Sequence, residues 1–491
     1  MEKLTLLRQE INQIDREICD LIEKRFAIVK KMGMIKLINQ LPILSEKREQ
    51  EIKNQLLSRP YGKQLINIYE CLFSITKDLQ KNDFFLVGKK LDYSLSPIIH
   101  QLLGNEKYAL MEINQFEAIK NIPFQAINIT NPYKTEAYYS CDDYAEEAKL
   151  TKTVNLIVAK ENKKVGFNTD FQAFLNTLDY FHIKPSLLKT IIIGNGATAR
   201  TIKFALMKYG CQEIVQLVRE NRSANEYLLD EYHLFKNYHL IINATPYGTN
   251  FEDNLHPLFP LSDFHNLKFV MDVVYNPPLT PLLMEAKAMH VPCVNGLYML
   301  ISQAAIGLGI VNGNNYQSLV KPIFLKLKSS MKNIVFIGMP YSGKTTFGQI
   351  LSAGFQRPFY DVDEELKKAG NDLPNVLKTS NIDDFRQKEA EMTLALNKKQ
   401  AIVLATGGGI VLNAKVMQRL KQTSVIVFIN TPLDELVNRI DGSRPLAKTK
   451  EQLEKLFINR ISLYHHYADI VVNQENQLLE KINEYLNYQW A

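Results

Sequence analysis

An all-α segment followed by two α/β units is the architecture this sequence predicts, and three stretches predict it. From Leu4 to Met32, apolar residues recur at alternating steps of three and four, the pattern of one face of a long helix. The β-run TIIIG empties into Gly194-Asn195-Gly196 ahead of a helical pattern. A second run of strand type, beginning at Asn333, breaks at Gly338 and closes as Gly343-Lys344-Thr345. At 491 residues the chain exceeds what one hydrophobic core supports, so three domains are expected, at 1–82, 83–328 and 331–491. The middle domain divides into a part at about 83–187 with closing helices at about 297–328, around a second part at about 188–296.

Composition excludes several classes. The chain is 46% hydrophobic and 22% charged, and no uninterrupted apolar segment reaches the roughly 20 residues that cross a bilayer. The start, MEKLTLLRQE, has no apolar core of a signal peptide, so a cytoplasmic protein without a membrane partner is expected. Five cysteines are scattered without a C-x-x-C pair, which argues against disulfides and zinc and leaves them as core thiols. A net charge of +6 with no block of like charge gives no nucleic-acid surface, while small anionic substrates remain open.

In the first segment, Leu4, Leu7, Ile11, Ile14, Ile18, Leu21, Ile28 and Met32 form the stripe, and no proline interrupts it before Pro42. At about 1.5 Å per residue this helix is roughly 50 Å long. The shorter helical patterns at 45–58 and 61–81 cannot cover it, so it must pack on another copy. Arg25 stands where the stripe calls for an apolar residue, and a buried cation needs an anionic partner. A surface coiled coil with Arg25 paired to a neighbouring Glu accounts for the same pattern. Over its whole length the segment resembles the all-helical class of chorismate mutase. That resemblance implies a pocket formed by Arg8, Arg25, Lys36, Arg48, Glu49 and Gln80. Arginines would clamp the two carboxylates of chorismate, with Lys36 and Gln80 donating to the breaking ether oxygen; the rearrangement needs no nucleophile or metal. It also implies an intertwined homodimer in which a first-helix arginine is lent to the partner's pocket. Where the family often has aspartate just before the Arg-Glu pair, this chain has Ser45.

The middle segment opens with a strand, a glycine turn and a helix begun by Ser96 and Pro97. The strand QAINIT then leads into Asn131-Pro132-Tyr133-Lys134. On spacing alone Lys134 is a solvated surface residue. Gly194 to Ala199 gives G-x-G-x-x-A, and the next strand, EIVQLV, ends about twenty residues on, where dinucleotide folds choose between cofactors. Arg219 and Arg222 there suit the 2′-phosphate of NADP, and Glu220 keeps NAD open.

These motifs together resemble shikimate dehydrogenase. Ser-x-Ser-Pro is Ser94 to Pro97, the lysine motif runs from Asn128 to Lys134, Asn-Thr-Asp is Asn168 to Asp170, and Gly296 to Leu300 precedes Gln303. The resemblance implies a two-domain α/β dehydrogenase with a Rossmann NADP-binding half around Gly194, Gly196, Ala199 and Arg219. It implies reversible reduction of 3-dehydroshikimate with Lys134 and Asp170 handling the proton. Ser94 and Ser96 would hold the carboxylate, Thr130, Asn155 and Gln303 the ring hydroxyls, and Tyr275 the cofactor end of the pocket. Phe171 stands where the family has glycine.

From Gly338 to Thr345 the last segment matches G-x-x-x-x-G-K-[ST] in full. Such a loop wraps backbone N–H groups round phosphates at a helix N-terminus, Lys344 reaching the terminal phosphates and Thr345 free to hold Mg²⁺. Asp361 and Asp363 alternate at the end of a short strand and would point to different places. The strand AIVLAT runs into Gly407, Gly408 and Gly409, either an ordinary loop or a place where a ligand lies on bare backbone.

With Phe385-Arg386-x-x-Glu389, Arg444-Pro445-Leu446 and Arg460-x-x-x-Tyr464, these features resemble shikimate kinase, an α/β P-loop fold. The resemblance implies that Arg386 and Arg460 clamp the shikimate carboxylate beside the three glycines, and that Asp363 receives the ring hydroxyls as base. Gly338, Gly343, Lys344, Thr345, Thr346 and Arg444 would hold ATP, with Thr345 and Asp361 on Mg²⁺. The whole is expected to be a trifunctional enzyme of aromatic amino-acid biosynthesis. Two alternatives stand beside it: a helical segment serving only dimerisation or regulation, and a quinate-type dehydrogenase using NAD.

Overall fold

The computed structural model describes residues 2–38, 41, 46–80, 83–91, 94–120, 122–220, 223, 225–249, 256–371, 374–376 and 381–487. Ser45, Arg222 and the junction at Asn82 lie outside the described residues. The chain forms two compact units. One comprises Met1–Ile183, Arg200–Lys208 and Met299–Val320; the other comprises Lys184–Ala199, Tyr209–Tyr298 and Lys321–Ala491.

The first unit begins with three helices, α1 (Glu2–Ile38), α2 (Glu46–Leu57) and α3 (Gly62–Leu79). Along most of α1 the apolar stripe is uncovered: Leu7 is 50% exposed, Ile14 48% and Leu21 64%. Only towards its end does the helix bury side chains, at Val29 and Met34.

A sheet follows, built from β1 (Phe84–Gly88), β2 (Ala109–Glu112), β3 (Ala126–Ile129), β4 (Asp143–Tyr144), β5 (Leu156–Lys160) and β6 (Lys163–Phe167), in the order β2-β1-β3-β5-β6-β4. The inner strands FFLVG and AINI are buried at every residue, as strands covered on both faces must be. β5 runs antiparallel to both neighbours and joins β6 through Glu161 and Asn162, which have φ of 47° and 64°. Two successive positive φ values are the geometry of a tight hairpin turn whose twist matches the strands.

The second unit carries two parallel sheets. β7 (Thr190–Ile193), β8 (Ile214–Val218), β9 (Glu226–Leu228), β10 (Leu240–Asn243), β11 (Phe269–Asp272) and β12 (Cys293–Val294) lie in the order β12-β11-β10-β7-β8-β9. The chain steps outward from β7 first one way and then the other. This leaves a crevice beyond the carboxyl ends of β7 and β10, where such sheets receive ligands. β13 (Asn333–Ile337), β14 (Phe359–Asp361), β15 (Val403–Ala405), β16 (Ser424–Ile429) and β17 (Ile470–Val472) repeat the principle in the order β14-β15-β13-β16-β17, again with the first strand central. The two sheets of this unit are joined where Leu279 N donates to Gln422 O at 3.1 Å and Lys287 Nζ meets Asp469 Oδ1 at 3.2 Å.

The cysteines depart from expectation. Cys211 and Cys293 are core thiols, but Cys19 and Cys71 are exposed on α1 and α3, because a single chain leaves those helix faces uncovered. Among the described residues no helix is long and apolar enough to cross a membrane.

Candidate active sites

β13, buried throughout, delivers the phosphate loop to the sheet's carboxyl edge. Gly338 (φ 154°) and Gly343 (φ 90°) take backbone conformations that side chains resist, and Gly343 caps the helix Lys344–Phe355. Lys344 folds back over the loop, donating to the carbonyls of Gly338 at 3.0 Å and Met339 at 2.9 Å. Burial lowers its ammonium pKa to about 8, against the pull of Asp363. Thr345 Oγ1 donates to Asp361 Oδ2 at 2.6 Å, so hydroxyl and carboxylate already stand together, a donor set that suits a hard divalent cation. Thr346 is exposed on the same turn.

The two aspartates point apart, as expected, but they do not share a strand. The chain turns into the helix Val362–Lys368 directly after Asp361, whose side chain caps it, and Asp363 lies on the first turn. Asp363 Oδ2 pairs with Arg444 Nη1 at 2.5 Å. A cavity of about 280 Å³ is lined by Lys344, Asp363, Arg386, Gly408, Arg444 and Arg460, among others. Arg386 Nη1 meets Glu389 Oε2 at 2.6 Å, while Arg460 Nη1 and the Tyr464 hydroxyl both donate to the carbonyl of Gly408, at 3.0 and 2.5 Å.

Two of the three glycines that line this cavity also answer a packing constraint. A Cβ on Gly407 would lie 1.9 Å from Glu389 Oε1, and one on Gly409 would lie 2.1 Å from Arg386 Nη1. Glu389 and Tyr464, quoted only as motif members, thus emerge as parts of the site. The signal for Glu389 was its place three residues after Arg386, on one helix face. Burial raises the Glu389 carboxyl pKa even beside Arg386 and the Tyr464 phenol to about 12.

In the first unit, Lys134 opens the helix Lys134–Tyr139 just after β3, and Asp170 lies on the first turn of Thr169–Tyr180, just after β6. Lys134 Nζ meets Asp170 Oδ2 at 2.6 Å, with side chains only 14% and 9% exposed. Asn155 Nδ2 donates to the other oxygen, Asp170 Oδ1, at 2.9 Å, and Asn155 Oδ1 accepts from Thr169 N at 2.8 Å. Thr169 Oγ1 reaches Gln303 Oε1 at 3.4 Å, a link that sequence reasoning missed although Thr169 sits inside a quoted motif. Phe171 leaves this geometry intact: its ring turns away to Phe204, 5.7 Å between centroids, on the helix Ala197–Lys208. Ser94 and Ser96 follow β1 and Thr130 follows β3, so all three stand beyond the carboxyl ends of paired parallel strands.

The dinucleotide turn lies in the second unit. Gly194 has φ 102°, and a Cβ there would lie 2.7 Å from Thr245 Cγ2. A Cβ on Gly196 would meet nothing within 4 Å, so the space before the helix start at Ala197 is open, as a pyrophosphate requires. Ala199 is fully buried, Arg219 is exposed just past β8, and Tyr275 is half-buried after β11.

Of the helical set, Arg25 and Gln80 converge. Arg25 Nη1 donates to Thr76 Oγ1 at 2.6 Å, a hydroxyl rather than the expected acid, and Gln80 Nε2 donates to Thr76 O at 3.3 Å. Gln80 Oε1 is buried without a hydrogen-bond partner, an acceptor awaiting a donor. Lys36 is half-buried in the last turn of α1. Glu49 pairs with Lys77 at 3.0 Å and Arg48, exposed, with Glu51 at 3.0 Å. Arg8 is exposed and stands roughly 25 Å along α1 from Arg25, so one chain does not bring them together.

Three family models match this chain: chorismate mutase type II over residues 7–81, the shikimate dehydrogenase substrate binding domain over 86–157, and shikimate kinase over 340–488. A shikimate dehydrogenase (NADP(+)) of Clostridium botulinum is 33% identical over 251 residues, 46% of this chain and 96% of that protein. One from Chlorobaculum tepidum is 30% identical over 269 residues, 48% of this chain and 91% of its own. Among solved structures, a chorismate mutase/shikimate 5-dehydrogenase fusion protein from Clostridium acetobutylicum aligns at 27% identity and TM-score 0.47, covering 50% of this chain and 97% of that one.

The Arg386–Glu389 pair yields a stability test. Arg386→Met strands a carboxylate that is 2% exposed, which lowers the unfolding free energy by about 3–5 kcal/mol near neutral pH. Because burial raises the Glu389 pKa in the folded state, protonation relieves the penalty as pH falls; the loss is full near about pH 8 and smaller near about pH 5. Urea unfolding at both pH values measures it.

Proposed function

This chain belongs to the shikimate dehydrogenase family and is a multifunctional shikimate-pathway enzyme with chorismate mutase and shikimate kinase domains. From that premise we propose which residues carry each reaction and with which cofactors. The single observation that carries the dehydrogenase reading is the buried Lys134–Asp170 contact at 2.6 Å, with Asn155 on the second carboxylate oxygen. NADPH, when bound, supplies the hydride to the carbonyl carbon of 3-dehydroshikimate. Lys134 gives the proton to the carbonyl oxygen and regains one from solvent, while the Asp170 carboxylate orients the ammonium. Ser94 and Ser96 would hold the carboxylate, with Thr130, Asn155 and Gln303 on the ring hydroxyls. The open space over Gly196, the helix start at Ala197 and exposed Arg219 support the assignment of NADP(H), the cofactor in the names of the relatives. Tyr275 would close the nicotinamide end.

In the kinase domain, Arg386 and Arg460 would bind the carboxylate of shikimate, each leaving its present partner for the ligand. Asp363, released from Arg444, would take the proton of the attacking hydroxyl, while Arg444 and Lys344 neutralise charge on the phosphoryl group. Thr345 and Asp361 would hold Mg²⁺, which with ATP supplies the transferable phosphoryl group in a neutralised form.

For the mutase, Arg25, Arg48 and an Arg8 from a second copy would grip the carboxylates of chorismate, with Lys36 and Gln80 at the ether oxygen and Glu49 at the rim. The exposed stripe of α1 supports a homodimer as the functional form. Cytoplasmic residence fits these substrates.

Three outcomes test this assignment. Lys134→Met lowers kcat for 3-dehydroshikimate by about 10²–10⁴-fold and leaves shikimate phosphorylation unchanged; an unaltered kcat would remove the pair from the chemistry. Lys344 carries its charge only below about pH 8, so kcat/KM for ATP declines as pH rises through about 8, and a profile flat beyond that point counts against its role. Ile14→Asp, in the middle of the exposed stripe, converts a dimer to a monomer in light scattering and abolishes chorismate turnover.

A further inference from the structure

The last turns of α1 have two faces with two different neighbours. Arg25, Val29, Gly33 and Lys36 share the first face, which Arg25 and Gly33 place against α3. A Cβ on Gly33 would lie 2.8 Å from Gln80 Cα, so helix and chain touch backbone to backbone there. Lys30, Met34 and Leu37 lie roughly 100° round the helix. Lys30 Nζ donates to the carbonyl of Glu106, Met34 is 3% exposed within the core that also holds Phe85, Val87, Ala109 and Met111, and Leu37 packs on the same core. The end of the mutase helix is therefore part of the hydrophobic core of the dehydrogenase sheet. Lys107 adds a second tie, meeting Asp78 of α3 at 2.9 Å.

We propose that Met34 is a positioning residue for the chorismate rearrangement: rooted beneath β1 and β2, it fixes where α1 presents Lys36 and how closely Gln80 approaches. The inference rests on the mutase reading given above. A packed core transmits displacement because it has almost no free volume. A pericyclic reaction driven by orientation alone is sensitive to it, a shift of about 1 Å being worth up to about 10²-fold in rate.

In the full-length chain, Met34→Ala lowers kcat for chorismate about tenfold or more, with KM moving less and with a smaller effect on 3-dehydroshikimate reduction. Met34→Leu, which conserves volume, restores the mutase rate. Amide hydrogen exchange, which needs no turnover, accelerates across residues 25–36 in M34A and not in M34L. A wild-type chorismate kcat in M34A, unaltered exchange in that segment, or parallel loss of mutase and dehydrogenase activity overturns the proposal. A wild-type chain inert toward chorismate defeats the mutase reading as well, and is recognised before any substitution is made.

Discussion

A cation taken out of water must be given an anion, a carbonyl or a hydroxyl, and the candidate sites of this chain are arranged by how that demand is met before substrate arrives. Lys134 rests on Asp170 and Arg386 on Glu389, while Lys344 and Arg460 lean on carbonyls of the glycine loops beneath them; Arg444, more open to solvent, meets Asp363. None of these partners is bulky or covalent. On the proposed assignment a substrate carboxylate or phosphate would offer the same cations a better match, so ligand binding would be an exchange of partners.

The same demand recurs away from the sites, where the second unit joins its two sheets. Lys287 is held by Asp469 and the Tyr485 hydroxyl, and Arg357 by the carbonyls of Lys332 and Ser329, both at 2.7 Å. Lys332 is only 7% exposed, and burial together with neighbouring Lys287 brings its pKa down to about 8. The joint is thus built with polar and charged groups, and its geometry is correspondingly specific.

What could be read in advance was whatever a local pattern encodes. The phosphate loop and the dinucleotide turn were legible because a strand, a glycine and a helix start follow one another in the chain, whereas Lys134 reads on spacing alone as a surface residue and was paired with Asp170 only through the family resemblance. The exposed stripe of α1 was legible from its 3.6-residue period. Less legible was anything decided by distant packing. Asp363 looks like a strand residue until the chain turns at Val362, and Arg25 looks like half of an ion pair until Thr76 comes round from α3. Met34 is one more apolar residue in a helical run; only the sheet it enters distinguishes it from Met32, which is 45% exposed.

Gly407 and Gly409 show how such distant packing restricts a sequence. What a methyl group would strike at these two positions is the Arg386–Glu389 ion pair, whose carboxylate is buried, and not the backbone. An alanine at either position would have to part that buried pair, so its cost would fall on stability as well as on the cavity.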